Sequence, residues 1–391
     1  MDRIVVKFNS SIAETRRTRS LQPLSRDASI SADDAAEIDF SVQTVDDQQR
    51  AELDQDPKYL VADKMGLSLI RPNDATTEHS AIVTTDEGNV TWGVKAVGAD
   101  QGGFDGQGVK VAVLDTGIDK DYATHPAFQG VNIQTKNFSW DVDEDNDGHG
   151  THCAGTIFGR DVNGTRIGVA RGVTDAFIAK VIPGKTDALI KALNWAFENE
   201  VRVASMSLGI DFPGFQHALM YNHGLDPRAA TSRALTEFRA NLAVFDTLLA
   251  SFKARELSGQ GMVIVAATGN ESDRPRYTID AAPPSAAMGM IRVGAIQQDG
   301  IGGYDIADFS NTKPVVVAPG VDVESAALGG GTVNLSGTSM ATPHVAGLAA
   351  LYWQQAHPQA TASNIMSQIE ARAQAVGLTW DEGGVGMAVA P

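Results

Sequence analysis

The sequence predicts an α/β protein, doubly wound around a mainly parallel sheet, with a small α+β unit in front of it. Three observations carry the prediction. Short continuous apolar runs recur from residue 109 onward, at 110–114, 176–182, 203–207, 262–266, 291–293 and 315–318; such runs mark strands buried on both faces, the condition of a parallel sheet. Helical patterns, 188–199 among them, fall between several of these runs, as a doubly wound sheet requires. Before residue 80 the texture differs, with short alternating stretches, a capped helix and polar loops.

Taken in order, residues 4–8 read as a strand and 9–36 as polar and poorly patterned. Residues 38–42 alternate as a half-buried strand does. Thr44 is expected to cap a short helix through Leu53, which Asp56-Pro57 ends. Residues 59–62 and 67–70 read as two more strands, and 71–90 as a linker. The first domain is therefore expected over residues 1–80 and the second over 81–391. In the second, a long strand-free stretch follows Gly209. Asp211-Phe212-Pro213 and Asp226-Pro227 each place an acidic cap before a helix-starting proline. Leu235, Phe238, Leu242, Phe245, Leu248, Leu249 and Phe252 then recur at helical spacing, so 211–259 is read as a helical-hairpin insertion.

Composition narrows the function classes. The net charge is −17 and no basic cluster is present, which argues against nucleic-acid binding. No apolar run reaches the roughly 20 residues needed to span a membrane. A single cysteine, Cys153, leaves no intrachain disulfide. The N-terminus lacks a basic-then-apolar pattern; the sequence as given reads as cytoplasmic, or as secreted if a signal peptide has been removed.

Three polar-tipped segments stand at strand ends or helix starts. Asp115-Thr116-Gly117 follows an apolar strand. Asp147-Gly148-His149-Gly150-Thr151-His152-Cys153 opens a small-residue helix. Gly337-Thr338-Ser339-Met340-Ala341-Thr342-Pro343-His344 opens another, with Pro343 expected in its first turn. Singly, Asp115, His149 and Ser339 read as turn formers and caps. Together they supply what nucleophilic acyl transfer needs: a hydroxyl nucleophile, a base that takes and returns its proton, and an acid that orients the base.

These segments resemble the three signatures of the subtilisin-like serine proteases, the subtilases (peptidase family S8), over about residues 92–389. In that family the triad runs in the order Asp, His, Ser, as in subtilisin itself. The resemblance implies a subtilisin-like fold, with Asp115 as orienting acid, His149 as general base and Ser339 as nucleophile. Ala266-Ala267-Thr268-Gly269-Asn270 matches the family's oxyanion motif, so the Asn270 amide and the Ser339 N–H would hold the oxyanion. Ser205-Met206-Ser207-Leu208-Gly209 resembles the substrate-pairing strand: Ser207, Leu208 and Gly209 would line the cleft, and Ala267 and Gly269 would leave room for a substrate side chain. Residues 52–61 resemble the end of a subtilase propeptide. Residues 1–80 would then be an α+β (ferredoxin-like) prodomain that assists folding and inhibits through its tail, at 67–72 or just beyond. The implied function is a serine endopeptidase made as a self-processing zymogen. Its partners would be a peptide or protein substrate and its own propeptide. A dedicated processing protease for one partner, and a stably autoinhibited interaction module, stay open beside it.

The family implies no cofactor for the chemistry. Structural calcium is possible but unsupported: His125-Pro126 is followed by Ala127 where the family often has an acid, and no metal ligand is assigned. The run 141–148 matches an EF-hand loop from Asp143 only until its twelfth position, which is Ala154 rather than Glu; it is expected instead as a solvated acidic approach to the cleft. Pro183-Gly184-Lys185-Thr186 is shorter than the family's second substrate-pairing edge. Cys153 reads as a small buried helix residue, with thiol sensitivity as the alternative.

Overall fold

The computed structural model describes residues 2–18, 30–69, 89–356 and 360–391. The N-terminal unit runs β1 (Asp2–Lys7), α1 (Ser10–Thr18), α2 (Ala32–Ala36), β2 (Asp39–Thr44), α3 (Asp47–Gln55), β3 (Tyr59–Asp63) and β4 (Leu67–Leu69). The larger body follows with α4 (Trp92–Ala96), β5 (Lys110–Asp115), β6 (Asn132–Asn137), α5 (His149–Phe158), β7 (Asp175–Lys180), α6 (Thr186–Glu198), β8 (Val203–Met206) and β9 (Leu208–Ile210). Then come α7 (Phe212–Tyr221), α8 (Pro227–Ala254), β10 (Val263–Ala267), β11 (Ile291–Gln298), β12 (Tyr304–Ile306), β13 (Val316–Pro319), β14 (Val323–Ala326) and β15 (Thr332–Leu335). The chain closes with α9 (Thr338–Ala356), α10 (Ala362–Arg372) and α11 (Trp380–Gly383).

In the N-terminal unit the strand order is β2-β1-β3, all antiparallel. Asn9 starts α1 by accepting from the Ile12 N–H, and Ser31 caps α2, so the polar stretch 9–36 contributes two helices that its composition hid. The cap of α3 is Asp46, not Thr44: Asp46 accepts from Gln49 N and the Gln49 side chain accepts from Asp46 N, a reciprocal capping box. The end of the expected 67–70 strand and nearly all of the 71–90 linker lie outside the described residues.

The body is built on a sheet of order β12-β11-β10-β8-β5-β7-β6, with β13 also paired to β11. All neighbours are parallel except β11 and β12. The apolar runs predicted as strands form β5, β7, β8, β10, β11 and β13, buried between helices on both faces. The chain leaves β5 towards β7 and β6, then returns past it to β8 and β10. The carboxyl end of β5, where Asp115 lies, is therefore the point where winding reverses, the usual place for a site in such sheets.

The predicted hairpin is α7 and α8, with Asp211 accepting from Gly214 N and Asp226 from Arg228 N. On α8, Phe245, Leu248, Leu249 and Phe252 are buried as expected, but Leu235 is 51% exposed; the buried face of that half of the helix is Ala230, Ala234, Glu237 and Asn241. Ile4 and Val6 of β1, and Phe8 just after it, belong to one apolar cluster with Leu189 and Leu193 of α6 and Val244 and Leu248 of α8. The small unit and the body thus share a core. No helix of the described residues is long and apolar enough to cross a membrane.

Candidate active site

Asp115 ends β5 and is fully buried; His149 is the first residue of α5. The two loops are stitched together by the residue after the acid, since Thr116 Oγ1 accepts from the Gly150 N–H at 2.8 Å. This brings Asp115 Oδ1 to 2.8 Å from His149 Nδ1. Burial opposes charging of the imidazole, but the Asp115 carboxylate outweighs it and holds the His149 pKa well above the usual 6.5. With Nδ1 committed to Asp115, Nε2 is the nitrogen left to exchange a proton, and among the described residues it has no hydrogen-bond partner.

Ser339 lies in the first turn of α9, buried at 1% exposure. Pro343 is not in the first turn but one turn further in, where an α-helix would have its N–H bonded to the Ser339 carbonyl. Proline cannot make that bond. The carbonyl instead accepts from Ser207 Oγ at 2.9 Å and from Cys153 Sγ at 3.5 Å. Ser339 Oγ donates in turn to the Ser207 carbonyl at 3.3 Å.

Asn270 follows β10 and is buried. Its Oδ1 accepts from Thr338 N at 2.8 Å and Thr338 Oγ1 at 2.9 Å, which turns its amide towards the start of α9. The amide nitrogen sits so close to Gly337 that a Cβ there would lie 2.9 Å from it, and Gly337 has φ +152°. Gly269 is required for a similar reason: at φ +118°, a Cβ would meet Asn311 Nδ2 at 2.3 Å. Asn311 and Glu271, whose Oε2 would lie 2.4 Å from such a Cβ, are therefore direct reasons for that glycine, beside any room left for a substrate. Ala267 is buried inside β10.

Ser207, Leu208 and Gly209 lie along the edge that runs past Ser339, and that edge is occupied. The strand β4 of the N-terminal unit pairs antiparallel with β9, placing Leu69 opposite Leu208, Ser68 opposite Gly209 and Leu67 opposite Ile210. On its other side, Leu67 N donates to Gly184 O at 2.9 Å and Gly66 bridges Lys185. Residues 183–186 thus do form a second edge, short as it is.

Most of the acidic run next to the site is exposed, as a solvated approach would be, and Asp145 is the exception. Asp145 is buried, and each carboxylate oxygen accepts twice: Oδ1 from Asp147 N and Gly148 N, Oδ2 from Thr151 N and Thr151 Oγ1. It anchors the start of α5, and these bonds hold its pKa down against the opposing effect of burial. Its neighbours Asp141, Asp143 and Glu144 are exposed. His125 caps the turn at Pro126–Phe128 by accepting from Ala127 N. His152 lies on α5 behind the site and bonds the Val323 carbonyl. Asp115, His149 and Cys153 are three ligand-type side chains whose donor atoms lie within 4.8 Å of one another; an ion there would occupy the His149 ring.

The geometry thus brings Asp115, His149, Ser339, Asn270, Ser207 and the edge 208–209 together, an arrangement suited to acyl transfer with an oxyanion donor. The sequence reading missed the residues that fix it: Thr116, Thr338 and Asn311. The first two were within reach, because each is a hydroxyl directly beside a motif residue.

The sequence profile of the Subtilase family (peptidase S8) matches residues 106–386. A thermostable alkaline protease of Halalkalibacterium halodurans is 32% identical over 318 residues, 78% of this chain and 74% of that protein. An intracellular serine protease of Paenibacillus polymyxa is 35% identical over 266 residues, covering 64% of this chain and 68% of its own length. Among solved structures, sphericase superposes with a TM-score of 0.58 at 25% identity, over 78% of this chain and 99% of its own.

Proposed function

Since the chain belongs to the subtilase family and is a serine endopeptidase, we propose that Ser339 is its nucleophile, His149 its general base, Asp115 the acid that orients the base, and Asn270 an oxyanion donor. The observation that carries the assignment is the 2.8 Å bond from His149 Nδ1 to Asp115, with Nε2 unpartnered among the described residues and Cys153 Sγ reaching both His149 Nδ1 at 3.9 Å and the Ser339 carbonyl at 3.5 Å. Ser339 Oγ attacks the scissile carbonyl as its proton passes to Nε2. The oxyanion is held by the Asn270 amide and the Ser339 N–H. His149 returns the proton to the leaving amine, and water then opens the acyl-enzyme by the same route in reverse.

We propose further that the N-terminal unit is an inhibitory propeptide whose cleaved part ends at residue 70, ten residues short of the boundary at 80 expected from the sequence. The pairing of β4 with β9 supports this, because an extended peptide that adds to that edge is how a substrate would bind. Leu69 is paired with Leu208, one residue from Ser207, so the bond expected to be cut is the one between Ile70 and Arg71. Intact mass and N-terminal sequencing of the purified protein test both proposals. The native chain should yield a new N-terminus at Arg71, and Ser339→Ala only the full-length chain. A fluorophosphonate probe should label the processed protein at Ser339; a processed protein that takes up no label would sink the nucleophile assignment.

A further inference from the structure

Asp63 ends β3, and every polar atom it has is held. Its N–H donates to Glu237 Oε2 at 2.9 Å and its carbonyl accepts from Asn241 Nδ2 at 3.0 Å, both from α8. Its carboxylate meets Arg3 Nε at 2.7 Å, Arg50 Nη1 at 2.8 Å and Arg233 Nη2 at 3.0 Å. Glu237 is itself completely buried and pairs with Arg50 at 2.8 Å and Arg233 at 3.0 Å. Arg3 and Arg50 belong to the N-terminal unit; Arg233, Glu237 and Asn241 stand four residues apart on one face of α8. Burying these charges has a desolvation cost that a well-packed apolar contact would avoid. The arrangement therefore suits positional recognition better than adhesion.

The position of Asp63 matters because the cleft strand lies just beyond it in the chain. Only Lys64, Met65 and Gly66 separate Asp63 from Leu67, the first residue of β4. Four residue steps span at most roughly 14 Å of extended chain, so a fixed Asp63 leaves β4 little slack. The cleft strand alone is a weak guide to register, since main-chain pairing accepts any residue. What it does specify is parity: a slip of one residue reverses every side chain, whereas a slip of two keeps Leu67 and Leu69 on their faces.

We propose that Glu237 and Asn241, with Arg233, are positioning residues of the insertion: they recognise Asp63 and Arg50 of the chain's own N-terminal unit and so fix which peptide bond is presented to Ser339. This rests on the self-processing reading. It gives α8 a task that general packing would not need, and it places the choice of cleavage site far from the reacting atoms.

The test uses the full chain and reads the new N-termini by mass spectrometry. The native protein should give one terminus. Glu237→Gln and Asn241→Ala should give additional termini displaced by two residues, at least tenfold more abundant than in the native protein. Arg233→Gln, at a half-exposed position, is the variant least able to harm folding and should give the same pattern more weakly. Turnover of a short peptide by the processed variants should match the native enzyme. A single unshifted terminus in all three variants overturns the proposal, whatever the yield. If the native chain does not cut itself, the self-processing reading falls, and the register is read in Ser339→Ala instead. There, adding Glu237→Gln should cut hydrogen-exchange protection of the Leu67–Leu69 amides at least tenfold; unchanged protection overturns the pin.

Discussion

Ser207 and Ser339 are joined twice, in opposite senses: Ser207 Oγ donates to the Ser339 carbonyl at 2.9 Å, and Ser339 Oγ donates to the Ser207 carbonyl at 3.3 Å. The first bond exists because Pro343 leaves that carbonyl without its helical partner. Ser207→Ala should therefore loosen the helix start that carries Ser339, the proposed nucleophile. Loss of one such bond is worth on the order of 1 kcal/mol, so kcat should fall roughly five- to tenfold with KM little changed. Steady-state kinetics on a short peptide checks this.

Asn270→Ala should lower kcat by about a hundred- to a thousandfold while KM barely moves, because the oxyanion forms only after binding. That magnitude comes from subtilisin, a member of the same family. Thr338→Val should produce a smaller fall of the same kind, since it removes one of the two donors that orient the Asn270 side chain.

His149 must be neutral to act as the proposed base, and Asp115 holds its pKa above 6.5. The acid limb of kcat/KM should accordingly lie above that value, with activity rising as pH rises through it. In Asp115→Asn the imidazole loses its charged neighbour, so the limb should move to lower pH even as kcat falls by roughly 10⁴. A pH–rate profile of both proteins separates the two effects.

Two other histidines set an acid limit on stability. Burial pushes the pKa of His152 down to about 3 and that of His344 to about 4. Each stays neutral in the fold while the same residue in the unfolded chain takes up a proton below 6.5. The unfolded state then binds more protons, so stability is full above 6.5 and is lost as pH falls. The loss is roughly 1.4 kcal/mol per pH unit for each histidine, continuing to about 4 for His344 and about 3 for His152. Urea midpoints of Ser339→Ala between pH 7 and 5 should show this slope, and His344→Asn should remove about half of it.

Cys153 Sγ lies 3.9 Å from His149 Nδ1 and its thiol pKa is pushed up by burial. Alkylation needs thiolate and access, so iodoacetamide should leave activity intact. Mercuric ion, which forms its own bond to sulfur with Asp115 and His149 in reach, should inactivate. Cys153→Ala should resist it, and excess small thiol should restore the native enzyme.

Much of this was legible in the chain because it was written locally. The strands β5, β7, β8 and β10 are apolar but for the charged ends of β5 and β7 and Ser205, and Asp115, His149, Asn270 and Ser339 sit inside segments whose neighbours carry the same message. What was not legible depends on partners. The edge strand β6, Asn132–Asn137, is mostly polar because only part of it is covered. β9 has three residues and exists through β4 and its neighbours. Asp145 reads as one acid among several until the start of α5 uses all its lone pairs. Glu237 sits in a polar stretch of α8 and is buried only because Arg50 arrives from elsewhere. Pro343 reads as a first-turn proline when the apolar run from Val345 alone marks the helix, because that run begins about two turns later than the helix does, at Thr338.

The core that Ile4, Val6 and Phe8 share with α6 and α8 gives the body a history. Together with Ile12, Ile38 and Ala62 they fill one side of a cluster that the remaining chain closes from the other. If they leave, as the proposed self-processing requires, the apolar atoms they covered face water, and a body that formed around them could not form that way again. Its endurance then depends on the height of a barrier to unfolding and not on an equilibrium. Such an enzyme is durable but cannot repair itself: each molecule that unfolds is lost.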